Sequence, residues 1–241
     1  MRADTNMAWP DDPYGTGQLW RKEPWLLAGF AIRFLTQEQR MYPVSYAVAY
    51  LRLHRTQAID LTSGVSFGFR AVTIDTHAEL GHLLQLFDLD AMRARRLAKI
   101  VAGWRLADDL AAMHAQAGRE AVRGIKGLAE SWVDRRHVHS AFAQMCDVAY
   151  DKAVPVGDVA TAATQSHIDI SGVREACESP SCLDMSPGAW STTRALIYGL
   201  MAGRTLNRFS WQGSLNVGAA IESNAGDSFT AQDFGHRAQS A

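Results

Sequence analysis

Cysteine is scarce in this chain, with only Cys146, Cys177 and Cys182. An odd number with one close pair lacks the second pair that a structural zinc site needs, so reduced thiols in a reducing cytoplasm are expected. Long hydrophobic runs are missing as well. The most apolar stretch, residues 25–35, is broken by Arg33 and falls well short of the ~20 apolar residues that span a bilayer. The N-terminal residues, with Asp4, Asp11, Asp12, Pro10 and Pro13, do not read as a signal peptide. A cytoplasmic protein without membrane contact is the expectation. Charge of one sign is also absent. Lys and Arg total 24 against 25 Asp and Glu, a net charge of −1, so no global field draws the chain to nucleic acid and only local patches remain. No Gly-rich phosphate loop, no Gly-x-Ser-x-Gly elbow and no Cys/His nucleophile arrangement occurs.

What is present suits a globular protein. A chain of 241 residues with 47% hydrophobic residues can bury a large core. Residues 1–23 read as a flexible polar arm, 24–224 as one domain, and 225–241 as a polar tail. Three β-branched and aromatic segments open the domain, at 25–35, 42–53 and 65–74. In the second, Val44, Tyr46, Val48 and Tyr50 alternate onto one face, as in a half-buried strand. Thr76 and Glu79 have the spacing of a capping box, and Leu80, Leu83, Leu84 and Phe87 then recur at helical intervals. A second helical piece covers 90–98, and 99–103 is a short buried strand. Helices follow over 106–117 and 119–133, a strand over 142–150, and helical patterns over 156–165, 190–207 and 215–224. Gly199 and Gly203 have the spacing of close helix packing. The order β-β-β-α-β-α-β-α predicts an α/β protein with a mixed five-stranded sheet and helices on both faces. The 25–35 strand is central, and the later strands are parallel to it.

This order resembles the ribonuclease H-like fold, and the segments in place are similar to the 3′–5′ exonucleases of the DEDD class. Gly29-Phe30-Ala31-Ile32-Arg33-Phe34 stands where that family has G-F-D-x-E-T on its first strand. Gly103-Trp104-Arg105-Leu106-Ala107-Asp108-Asp109-Leu110 is similar to its G-H-x-x-x-x-D-L segment, and Cys146-Asp147 to the end of a later strand. The resemblance implies a site at the strand ends in which active members hold two Mg²⁺ ions between carboxylates. Here Ala31 and Arg33 replace both acids of the first motif, and the 190–207 helix carries neither Asp nor Glu. The expectation is a degenerate exonuclease-like domain that binds single-stranded nucleic acid or a protein partner without catalysis and without a cofactor. Its remnant site is Ala31, Arg33, Asp109 and Asp147, with Arg33 paired to Asp109 and with Trp104 and Arg105 facing nucleic acid.

Two further readings stay open. In one, the chain is an active exonuclease that uses Mg²⁺, holds metal at Asp109 and recruits Asp60 and Asp147. In the other, it is an interaction module with no nucleic-acid role. Several groups also have plain explanations. Carboxylates such as Asp108 and Asp109 favour the first turn of any helix. Asp147 and Asp151 flank a strand end, where a solvated turn is ordinary. Trp104 suits a core or pocket as well as a stacking platform. Arg135, Arg136, His137 and His139 read as a solvated basic loop, and Arg93, Arg95, Arg96 and Lys99 as a positive face meeting water.

Overall fold

The computed structural model describes residues 1–7, 26–37, 40–117, 122–133, 143–150, 158–178, 185–226 and 228–229. Ten strands occur among the described residues. They are β1 (Arg2–Thr5), β2 (Leu26–Gln37), β3 (Arg40–Arg52), β4 (Ile59–Asp60), β5 (Gly68–Thr73), β6 (Ala98–Gly103), β7 (Gln144–Asp147), β8 (Ile168–Asp169), β9 (Phe209–Ser210) and β10 (Leu215–Asn216). The helices are α1 (Leu80–Leu97), α2 (Leu106–Ala117), α3 (Arg123–Val133), α4 (Val159–Gln165), α5 (Arg174–Glu178), α6 (Pro187–Thr205) and α7 (Val217–Ala225).

One mixed sheet of six strands, in the order β1-β5-β3-β2-β6-β7, organises the α/β fold. β2 pairs antiparallel with β3 and parallel with β6, which is parallel to β7, while β3 and β5 are antiparallel. β2 is therefore central. The count exceeds the expected five because Arg2–Thr5 adds an antiparallel edge strand on β5. Those residues fall in the stretch expected to be a loose arm, since a four-residue strand carries too little hydrophobic alternation to register.

Strand alternation sorts the core into two layers. Leu26, Ala28, Phe30 and Ile32 of β2, with Tyr46, Val48 and Tyr50 of β3, face α1, α2 and α3. Leu27 and Ala31, with Ala47, Ala49 and Leu51, face α6 and the short helices beyond it. Phe30, Tyr46 and Phe87 meet edge to face, with centroids 5.9 and 5.0 Å from Phe87. Each such fully buried side chain contributes on the order of 2 kcal/mol.

The Thr76/Glu79 capping box is formed, and it opens a turn that runs into α1. That helix is continuous where two pieces were expected, because Asp88 and Asp90 at the presumed break are buried and bonded. The Asp88 carboxylate accepts from the Ile125 backbone N–H at 2.9 Å, satisfying a donor at the start of α3. Asp90 accepts from the Tyr46 hydroxyl at 2.7 Å and pairs with Arg70 at 3.3 Å and Arg93 at 3.1 Å. Arg93 is thus tied to a buried acid, and the Arg95 guanidinium lies against Gly127. These two belong to the packing rather than to a basic face meeting water.

α6 is buried along nearly its whole length. It lies close on β2 because Gly29 sits against the Ala195 carbonyl and the Gly199 amide, leaving no room for a Cβ. Ser45 of β3 bonds Ser191 at 2.7 Å and the Pro187 carbonyl at 2.9 Å. Gly199 therefore serves a helix-on-sheet contact, and Gly203 receives the Phe209 ring; the spacing suggested a helix partner instead. Two small parallel pairs, β4 with β9 and β8 with β10, tie loops to the exit of this helix. Phe229, in the stretch read as a polar tail, packs on Phe69 with centroids 5.6 Å apart. Among the described residues, no helix is long and apolar enough to cross a membrane.

Candidate functional site

The carboxyl ends of the parallel strands β6 and β7 meet α6 at one place. In open α/β sheets ligands bind outside such strand ends. β6 ends at Gly103, and β7 ends at Asp147 directly opposite it. The Asp147 carboxylate, only 2% exposed, accepts from the backbone N–H of Arg105 and of Ala149, both at 3.1 Å. It therefore pins the turn after β6 to the turn after β7. This turn holds Arg105 at a φ of 49°, the left-handed region that costs a side-chain-bearing residue about 1 kcal/mol.

Trp104 and Asp109 flank that turn and are both half-buried. The Trp104 ring stacks on Tyr198 of α6, with centroids 6.3 Å apart and planes inclined by 25°. Arg105 is exposed, with its guanidinium 5.9 Å above the Tyr150 ring. Burial pushes the Asp109 carboxyl up to about 8, helped by Asp108 and Asp147, while Arg194 pulls it down. Among the described residues Asp109 has no ion pair and no side-chain hydrogen bond.

Arg194, on α6, is the cation that faces this acid. It is 8% exposed, and it donates to the Ala176 and Cys177 carbonyls and to the Tyr198 hydroxyl, the last two at 3.2 and 3.3 Å. Its guanidinium lies 4.3 Å over the Trp190 ring. Burial raises the Tyr198 phenol to about 12, with Arg194 opposing the shift. Among the described residues Arg194 makes no ion pair.

The residues of the first motif lie apart from this group. Ala31 and Arg33 share the α6 face of β2, as alternate residues must, and both are buried. Arg33 donates to the Met185 carbonyl at 3.3 Å and sits 5.6 Å from the Trp190 ring. The expected Arg33–Asp109 ion pair does not form. Gly29 of β2 is level with Ala102 of β6, so β6 ends beside Phe30, whereas β2 runs on to Gln37. Arg33 lies three residues past that level, about 10 Å along the strand. The Trp190 ring meets both arginines, Arg33 at 5.6 Å and Arg194 at 4.3 Å.

Asp60 lies elsewhere, in the β4–β9 pair, where its carboxylate accepts from the Thr62 backbone at 2.9 Å. It is not among the groups acting on Asp109. Arg135, Arg136, His137, His139, Asp151 and Cys182 lie outside the described residues. Cys146 and Cys177 are buried.

The donor set does not fit a two-metal centre. Ala31 offers no oxygen, Asp147 spends an oxygen on backbone donors, and Arg194 sets a permanent cation against Asp109. Among the described residues no three His, Cys, Asp or Glu side chains are grouped to hold a metal ion. Sequence reasoning missed Arg194 and Tyr198 because the helix was read only for its core-facing residues and its lack of acids. The signal was available, since Trp190, Arg194 and Tyr198 recur at i, i+4 and i+8 on one face of the helix.

No protein-family model matches the chain, and no curated protein matches it in sequence.

Proposed function

We propose that this chain is a ribonuclease H-like domain of the 3′–5′ exonuclease type that binds single-stranded nucleic acid without cleaving it. The observation that carries the reading is the order and direction of β5-β3-β2-β6-β7, with the two surviving acids at the carboxyl ends of β6 and β7 beneath α6. The resemblance assigns the same strand order and the same place for its site. Loss of catalysis follows from charge. Two-metal hydrolysis requires several converging carboxylates. Ala31 supplies none, and Arg194 brings a positive charge that repels Mg²⁺ by several kcal/mol at contact range, at an effective dielectric of about 20. Retention of binding is supported by Trp104 and Arg105, half-buried and exposed at the mouth of the site, an aromatic and a cation of the kind that stack on bases and meet phosphates.

The test is paired. A labelled oligothymidylate should bind the purified chain with an affinity that falls as salt rises, and it should remain intact with Mg²⁺ or Mn²⁺ present. Cleavage that disappears in Asp109→Ala would establish an active nuclease instead. Absence of any strand binding would leave a protein interaction module.

A further inference from the structure

A cavity of about 620 Å³ lies between the loop after β4, the loop that joins β9 to β10, and α7. That volume falls within the range of small-ligand sites. None of its thirteen lining residues belongs to the group around Asp109. None is Asp, Glu, Lys, Arg or His either, in a chain of which 20% is charged. Thr62, Ser63, Gln212, Ser214, Asn216 and Ser223 bring hydroxyls and amides instead, beside the buried Val65, Leu215 and Ala220. Two charged groups touch lining residues without lining the cavity themselves, and they are of opposite sign. Asp60 accepts from Thr62, and the Arg204 guanidinium lies 4.4 Å over the Trp211 ring while donating to the Ser166 carbonyl.

The walls are fixed by bonds between segments far apart in sequence. The Thr62 hydroxyl accepts from the Gln212 backbone N–H at 3.1 Å, and the Leu61 N–H donates to the Ser210 carbonyl at 2.8 Å. These bonds tie one loop to the other. Asn216 caps α7 by accepting from the Ala219 N–H at 2.8 Å, and the Trp211 indole N–H donates to the His167 carbonyl at 2.9 Å. Gly64 and Gly213 turn the two loops at φ of 131° and 66°, conformations that glycine adopts readily. Against this fixed frame, the Ser63 hydroxyl and the Gln212 side-chain amide bond no other group among the described residues. Loops held by a rigid scaffold, with polar groups left over, are the usual makings of a binding site.

We propose that this cavity binds a neutral polyhydroxylated ligand, one or two saccharide rings. An ionised ligand would give up hydration there with no countercharge in the lining to replace it. A hydroxyl is donor and acceptor at once, so walls of hydroxyls and amides match the hydroxyls of a sugar in either sense. The buried apolar side chains suit the C–H faces of the rings. The site is separate from the nucleic-acid reading and does not depend on it.

Saturation-transfer NMR on the full chain with maltose, cellobiose and N,N′-diacetylchitobiose tests this, with glucose 6-phosphate and glucuronate as charged sugars. At least one neutral disaccharide should receive saturation and shift the amide signals of Ser63, Gln212 and Leu215, and the charged sugars should not. Gln212→Ala should weaken that binding by about tenfold, as for loss of one or two neutral hydrogen bonds. It leaves the tie between the loops in place, because Thr62 bonds the Gln212 backbone. Ser63→Trp, at an exposed position, should fill the cavity and abolish binding with an unchanged melting temperature. No saturation of any of the three disaccharides, equal binding of the charged sugars, or wild-type affinity in both variants would each overturn the site. Shifts at the same amides with an uncharged Ser/Gln peptide but with no sugar would make it a peptide groove instead.

Discussion

The two faces of the central sheet treat buried charge in opposite ways. Beneath α1, Asp90 is met at once by the Tyr46 hydroxyl, Arg70 and Arg93, and every partner is within bonding distance. Beneath α6, Arg194 acts on Asp109 electrostatically, and neither forms an ion pair among the described residues. The first arrangement is complete within the chain and fixes the packing of α1 on β3 and β5. The second forms no closed network among the described residues. A closed network reads as structure and an open one as a site, although both consist of the same residue types.

The comparison breaks most sharply at Asp90. Asp90→Ala strands two arginines and a tyrosine hydroxyl, and should lower unfolding free energy by about 3 kcal/mol in urea denaturation. A loss comparable to that of an exposed pair would mean the network is not structural. Next in size is the seat of α6. Gly29→Ala drives a methyl into the Ala195 carbonyl and should cost about 2 kcal/mol. A neutral result there would show that the helix can lift without penalty.

On the open side the expected effect is smaller and has a sign fixed by pH. The Asp109 carboxyl is raised to about 8 in the folded chain. Between its ordinary value near 4 and that value, the folded state holds a proton that the unfolded state has released. Wild-type stability should therefore fall as pH rises across this window, and the loss should be complete above about pH 8. Asp109→Asn removes the titration and should be more stable than wild type at pH 8.5 by about 1 to 2 kcal/mol, allowing for partial exposure, with little difference at pH 4. Thermal melts of both proteins across this range decide it, and parallel curves would refute the shift. Smallest is Arg105→Gly. Relief of the positive φ should raise stability by about 0.5 kcal/mol, while strand binding weakens through the lost cation. Undiminished binding would remove Arg105 from the proposed surface.

The contrast also explains what could be read from the sequence. The strands of the main sheet announce themselves through alternation, as in Val44, Tyr46, Val48 and Tyr50, because one-sided burial repeats every second residue. α2 was legible to the residue, at Leu106–Ala117. The two-residue strands were not, since β4, β8, β9 and β10 owe their pairing to the loops that bring them together. Asp109 could be placed in the first turn of a helix that follows a strand end, where the structure has it. The cation acting on it could not, because residue spacing says nothing of how far β2 outruns β6. That difference in strand length puts Arg33 out of range, and Arg194 lies 85 residues further along the chain than Asp109.

The burial of α6 on all sides also dictates an order of assembly. Its contacts with β2 and β3 join residues separated by well over a hundred positions, and closing such long loops is what slows folding. During synthesis the bare face of β2 and β3, lined by Leu27, Ala31, Ala47 and Leu51, waits uncovered until Pro187–Thr205 has left the ribosome. A nascent chain halted before that point exposes an apolar sheet surface to its neighbours, and chains arrested there should aggregate or recruit chaperones while the full-length product does not.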